Sequence, residues 1–138
     1  MRRADASDRS QLERLVSIGL VELEQGRGGL AYVQDLTEHL GVVREDLAEA
    51  LVNATIDGGI VAETGFGVVV DKLALIYVSP HARRTRVGTA IYKDLLTQGP
   101  IELWAKPGDR TAKSFAESLG LKARLLIMSG ELSSNDES

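Results

Sequence analysis

The sequence contains no cysteine among its 138 residues. Without thiols it can form neither disulfides nor zinc–thiolate sites, and a cysteine nucleophile is excluded. It also lacks any apolar run approaching the ~18 residues that a membrane-spanning helix requires, and no signal-peptide pattern opens it. These absences predict a cytoplasmic protein with no membrane segment.

Two long segments of the chain are each short of one sign of charge, although the net charge is only −4. Residues 31–71 carry eight acidic side chains and a single basic one, Arg44. Residues 72–130 carry ten basic side chains and four acidic ones. Because clustered positive charge attracts anions, the second half is the expected location of an anionic ligand.

Hydrophobic periodicity predicts one α/β (α+β) domain over residues 1–130, followed by a polar tail over 131–138. Helical spacing of apolar residues predicts helices at about 8–24, 33–40, 44–56 and 87–98, and one that Asp109 caps. Extended patterns predict an edge strand at 1–4, a hairpin with a glycine-rich turn over 60–70, and strands at 73–78, 101–105 and 124–128. The run at 73–78 is apolar on both faces, so we expect it to be central and buried.

The segment with the clearest functional signal is residues 78–96, VSPHARRTRVGTAIYKDLL. A strand pattern ends at its start, three arginines follow, and a helical pattern begins at Val87. The first-turn N–H groups of a helix lack internal partners and lie at its positive end, so they bind anions. Guanidinium groups suit phosphate. The segment therefore predicts a site for a phosphorylated small molecule.

The same segment resembles the GNAT superfamily of acetyl-CoA-dependent acyltransferases, whose members typically have Val-x-Pro-x-x-Arg-x-x-Gly-Ile/Val-Gly-x-Ala-Leu. The positions in register are Val78, Pro80, Arg83, Val87, Gly88 and Ala90. A second stretch is similar to the family's Asn-x-x-Ala-x-x-Phe-Tyr-x-x-x-Gly-Phe, through Asp109, Ala112, Phe115 and Gly120. The resemblance spans most of the chain, and its specific part is 78–91.

The resemblance implies a mixed central sheet flanked by helices, acetyl-CoA or a related acyl-CoA as cofactor, and acetyl transfer to an amine acceptor. In this family the strand that holds the pantetheine arm splays from its neighbour, and members often pair through their last strands as homodimers. By position, the implied cofactor contacts are Ile76 and Val78 for the pantetheine arm, Arg83, Arg84, Arg86, Val87, Gly88 and Thr89 for the pyrophosphate, and Asp109 and Phe115 for the far side.

Three positions depart from the family pattern. Arg86 replaces the first motif glycine, Asp109 replaces an asparagine, and Ala116 replaces a tyrosine that often serves as general acid. If the first of these needs a positive φ, a side chain there costs on the order of 1 kcal/mol. The remaining candidates for acid–base catalysis are Tyr92 and Tyr77 as acids, with Glu102 and Glu63 as bases.

Two other functions stay open. An acetyltransferase-like fold that has lost catalysis, as in some bacteriophage-encoded members, would serve binding or assembly, with the acidic face at 35–49 as a protein-partner surface. Residues 33–71 are also similar to a winged-helix DNA-binding module, but its recognition helix at 44–54 is acidic and would repel DNA phosphates. No spacing of His, Asp and Glu indicates a metal site.

Overall fold

Helices and strands are mixed along the chain in the computed structural model, which describes residues 1–104 and 110–122. The helices are α1 (Arg9–Gln25), α2 (Gly29–Leu40), α3 (Leu47–Gly58), α4 (Val87–Leu96) and α5 (Arg110–Ser118). The strands are β1 (Arg2–Arg3), β2 (Ile60–Ala62), β3 (Gly65–Val70) and β4 (Leu73–Val78). The mixed α+β class is confirmed, whereas the strand expected at 124–128 and the tail at 131–138 lie outside the described residues.

The four strands form an antiparallel sheet in the order β1-β2-β3-β4. The turn between β2 and β3 is Glu63–Thr64, not the glycine-rich stretch, whose Gly65 and Gly67 lie inside β3. A side chain at Gly65 would overlap the Tyr77 carbonyl oxygen. Gly65 therefore allows close approach of β4 and Gly67 close approach of α4, and neither forms the turn.

The two faces of the sheet are covered by different helices. Side chains that alternate along β4 divide accordingly: Leu75 and Tyr77 pack in the core that α1, α2 and α3 share, and Ala74 and Ile76 pack against α4. Leu73 is fully buried, but β4 is the last strand of the described sheet and has one further bridge, at Glu102, so the expected central, buried strand is found only at its first residues. The second half of β4 is only half-buried, which leaves that part of the strand accessible.

Helix α2 begins four residues before the apolar periodicity indicates. Gly28 has φ 73°, and a Cβ at Gly29 would overlap the carbonyl oxygen of Leu23. These two glycines therefore permit the tight turn between α1 and α2. The periodicity of apolar side chains does not reveal this turn, because glycine has no side chain. Among the helices described, none is both long enough and apolar enough to cross a bilayer.

The turn between β3 and β4 offers a stability prediction. Asp71 (φ 46°) and Lys72 (φ 70°) both have positive φ, as the two-residue hairpin turn that favours Asn-Gly requires. Asp71→Asn/Lys72→Gly should therefore raise the free energy of unfolding in urea by about 1 kcal/mol. The matched control is Glu63→Asn/Thr64→Gly, in a turn without positive φ. An equal gain in both turns would contradict the explanation.

Candidate functional site

The loop after β4 has an unusual backbone. Residues Pro80–Ala82 form a short 3-10 turn, and Arg84 (φ 71°) and Arg86 (φ 69°) then both adopt the left-handed conformation. The Thr85 hydroxyl donates to the Ala82 carbonyl and closes the loop. The glycine of the resembled motif would readily adopt the positive φ that Arg86 has. Nothing in the sequence indicates the positive φ at Arg84. Two arginines in this conformation cost on the order of 1 kcal/mol each.

The loop leads into α4, a helix whose N-terminus has no side-chain cap. Arg86 is the N-cap of α4, and its side chain makes no capping bond. Its carbonyl accepts from Ala90 N–H at 3.0 Å, so the helix starts normally, but the N–H groups of Val87, Gly88 and Thr89 donate to no acceptor in the described part of the chain. Three free amides at the positive end of a helix are suited to an anion.

Two of the three loop arginines are unpaired in the described part of the chain. Arg84 and Arg86 are exposed and form no ion pair with any residue in the described ranges 1–104 and 110–122. They are therefore available to an anionic ligand.

Arg83 is placed differently. One terminal nitrogen of its guanidinium pairs with the Glu22 carboxylate on α1, and Nε donates to the Val78 carbonyl at 3.2 Å. The guanidinium carbon lies 6.0 Å from the centre of the Tyr77 ring, and the Tyr77 hydroxyl donates to Glu22 Oε2 at 3.2 Å. Burial, with a further effect of the Glu22 charge, raises the pKa of the Tyr77 phenol, so this group stays neutral at physiological pH.

The edge of β4 beside the loop has backbone groups that do not pair with β3, of which the Val78 carbonyl accepts from Arg83 Nε. Ser79 N–H donates to the Thr64 carbonyl at 2.7 Å, and from this pair the antiparallel register turns every second residue of β4 toward β3. Ile76 and Val78 are the alternate residues. Their N–H and C=O groups therefore point to the opposite edge of the strand, away from β3.

Among residues 1–104 and 110–122, that opposite edge is paired only at its start. Glu102 N–H donates to the Lys72 carbonyl at 2.7 Å, and Ala74 N–H donates to the Glu102 carbonyl at 2.8 Å, in a parallel bridge. The next rung would join Ala74 and Ile76 to Trp104, and neither bond forms. The strand predicted at 101–105 is thus reduced to one bridge among the described residues, and the two segments part beyond it. Within the described part of the chain, Ile76 has no partner on this edge.

The far wall of the site comes from α5. A Cβ built on Gly88 would lie 3.6 Å from both Val78 Cγ2 and Phe115 Cζ. The predicted contacts Val78, Gly88 and Phe115 therefore meet in space although they are far apart in sequence. Asp109, which was predicted to line the same wall, lies outside the described residues.

The catalytic candidates do not form a hydrogen-bonded pair. Tyr92 is buried on α4, one helical turn after Gly88, and Glu102 is exposed where the two segments part. No hydrogen bond joins them. The part of the chain described also contains no group of His, Asp and Glu residues arranged to hold a metal ion.

Trp104 lies two residues after Glu102, just beyond the bridge to β4. Its ring makes edge-to-face contacts with Tyr32 (5.7 Å between centroids) and His39 (5.3 Å). The His39 Nε2 lies 2.7 Å from the Val70 carbonyl, so this histidine ties α2 to the sheet. It therefore has a structural role, and Trp104 is anchored beside the open edge.

Comparison of the chain with protein-family models, curated proteins and solved structures finds no match.

Proposed function

We propose that the protein binds acetyl-CoA, or a related acyl-CoA, and transfers the acyl group to an amine. Three features that lack partners in the described part of the chain carry this proposal. They are the edge of β4 at the Ile76 backbone and the Val78 N–H, the amides at the start of α4, and the side chains of Arg84 and Arg86. A single extended ligand with amides at one end and phosphates at the other complements all three.

The binding chemistry follows from the position of each feature. An extended chain carrying amides can pair with an open strand edge as an added strand does. Backbone N–H groups and the positive end of α4 would receive the pyrophosphate, and the two arginines would neutralise its charge. Because α4 begins just beyond the C-terminal end of β4, the phosphate end would lie beside the loop and the thioester toward Glu102.

Acyl transfer would occur where β4 and the segment at Glu102 part. A neutral amine attacks the thioester carbonyl, the new C–N bond forms, and the C–S bond breaks to release the thiolate. The amine loses a proton and the thiolate gains one, so the site needs a base and an acid. Glu102 and Tyr92 are the candidates for these roles.

The test is thermal unfolding with and without acetyl-CoA, followed by a thiol-release assay with a panel of amines. A ligand at a hundred times its dissociation constant should stabilise the native state by about 2.7 kcal/mol, or several degrees. Stabilisation without acyl transfer would leave a CoA-binding protein that has lost catalysis. No stabilisation would remove both parts of the proposal.

The geometry does not support the DNA-binding alternative. The hairpin that would act as a wing, β2 and β3, lies in the middle of the sheet. The exposed stripe of α3 carries Glu49, Asn53 and Asp57, and two carboxylates in three positions oppose a phosphate backbone.

A further inference from the structure

Arg83 is one of the arginines that the resemblance assigns to the pyrophosphate, but its guanidinium is already bonded within the chain. We propose that Arg83 is a positioning residue: with Glu22 of α1 it holds the loop in the conformation that forms the anion site, and it does not bind the phosphates itself. Glu22 therefore belongs to the cofactor site although it lies far from it in sequence. This inference rests on the proposed function and concerns how the same site is formed.

Three contacts fix the guanidinium of Arg83. One terminal nitrogen pairs with the Glu22 carboxylate, Nε donates to the Val78 carbonyl at 3.2 Å, and the guanidinium carbon lies 6.0 Å from the centre of the Tyr77 ring. The Tyr77 hydroxyl donates to the other oxygen of Glu22 at 3.2 Å and so orients the carboxylate. A Cβ at Gly19, one helical turn before Glu22, would lie 3.1 Å from Tyr77 Cδ1, so α1 packs closely against the ring. The cluster therefore ties the loop to both α1 and β4.

The same contacts make Arg83 a poor ligand for phosphate. Two of its donor nitrogens are already bonded, and a phosphate that approached the guanidinium would also approach the Glu22 carboxylate, whose charge repels it. Arg84 and Arg86 differ, since neither forms an ion pair within residues 1–104 and 110–122. The three loop arginines thus divide into one that positions the loop and two that would bind the ligand.

The loop has to be held in place because two of its residues are strained. Arg84 (φ 71°) and Arg86 (φ 69°) have the left-handed conformation, which a residue with a side chain keeps only where its surroundings impose it. Arg83 fixes the chain immediately before them, and the Thr85 hydroxyl donates to the Ala82 carbonyl. Arg86 is also the N-cap of α4, so relaxation of its φ would redirect the free amides at the start of that helix. Loss of the ion pair should therefore lower the fraction of molecules in which the anion site is formed.

The first test compares the CoA dissociation constants of the wild type and Glu22→Gln by calorimetry. The side chains of Arg83 and Glu22 are 47% and 40% exposed, so the variant should bind CoA only about two- to fivefold more weakly, as the fraction of binding-competent loop falls. Glu24→Gln is the matched control, since Glu24 is on the same helix and pairs with Arg44. Its CoA affinity should equal that of the wild type. If Glu22 instead held Arg83 away from the phosphates, Glu22→Gln would bind CoA more tightly.

The second test records the nitrogen-15 amide spectrum of each protein without ligand. Glu22→Gln should shift the amide signals of Val87, Gly88 and Thr89, which Glu22 reaches only through the loop. The signals of residues 92–95, later in the same helix, should stay in place, and Glu24→Gln should shift neither group. A side chain that only packed α1 against β4 would leave the start of α4 unchanged.

The outcomes separate this inference from the proposed function. Weaker CoA binding by Glu22→Gln together with shifted signals at the start of α4 supports the positioning role. Equal or tighter binding, unmoved signals there, or shifts spread over the whole helix overturn that role and leave the proposed function standing. Failure of the wild type to bind CoA overturns the proposed function, and the positioning role with it.

Discussion

Gly67→Ala should destabilise the protein by about 3 kcal/mol, a large share of the 5–15 kcal/mol typical of a domain. Gly67 lies in β3 on the face that packs against α4. A Cβ there would overlap Ile91 Cγ2 and lie 3.1 Å from Leu95 Cδ1, and both leucine and isoleucine are fully buried. The helix would have to move away from the sheet. Urea denaturation monitored by circular dichroism measures the loss.

Two further variants make this prediction specific. A Cβ at Gly58, the last residue of α3, would meet no atom within 4 Å, so Gly58→Ala should be neutral or slightly stabilising. Gly67→Ala/Ile91→Ala should cost less than the sum of its two single changes, since the second removes the overlapping methyl group. Additive effects, or equal losses at the two glycines, would contradict the packing described.

Arg84→Ala/Arg86→Ala should weaken CoA binding by roughly 30- to 100-fold. Both guanidiniums are exposed and unpaired in the part of the chain that the structure describes, and each would bond to a charged phosphate at the start of α4. A hydrogen bond to a charged group contributes about 1.5 kcal/mol at the low end, which here is partly screened by solvent. Isothermal titration calorimetry with CoA gives the ratio.

The control for this pair removes the same charge elsewhere. Arg3 and Arg14 are exposed on β1 and α1, and Arg3→Ala/Arg14→Ala should leave CoA affinity within about twofold of the wild type, since distant charges are screened. Arg86→Gly distinguishes the effect of the backbone conformation from that of the side chain. It should raise the free energy of unfolding by about 1 kcal/mol and lower CoA affinity less than the double variant does. Equal affinities for the double variant and its control would exclude the loop as the phosphate site.

The parts of the fold that local patterns govern were predictable. The apolar stripes of α1, α3 and α4 repeat at helical spacing, and the run Leu73–Val78 is extended and apolar, so these elements lie within a few residues of their expected bounds. The start of α4 after three arginines also follows from the order of residues. The position of the arginine loop directly before α4 could therefore be predicted from the chain alone.

The rest depends on contacts between distant residues. Glu22 and Arg83 are 61 positions apart, and no periodicity indicates that a carboxylate on α1 would hold the first loop arginine. The sequence also does not show that the pairing between the strands stops at Glu102. Residues 101–104 have the pattern of a full strand, and only tertiary packing shows where the pairing ends among the described residues. The ion pair of Arg83 with Glu22 and the single bridge at Glu102 are accordingly visible only in three dimensions.

The most direct test of the central claim is a nitrogen-15 amide spectrum of the protein titrated with CoA. We expect the largest shifts at Ile76, Val78, Val87, Gly88 and Thr89, since these amides are free in the described structure and would bind the ligand. An unchanged spectrum, or shifts confined to the outer face of α1, would contradict the account and place no cofactor at the open edge of β4.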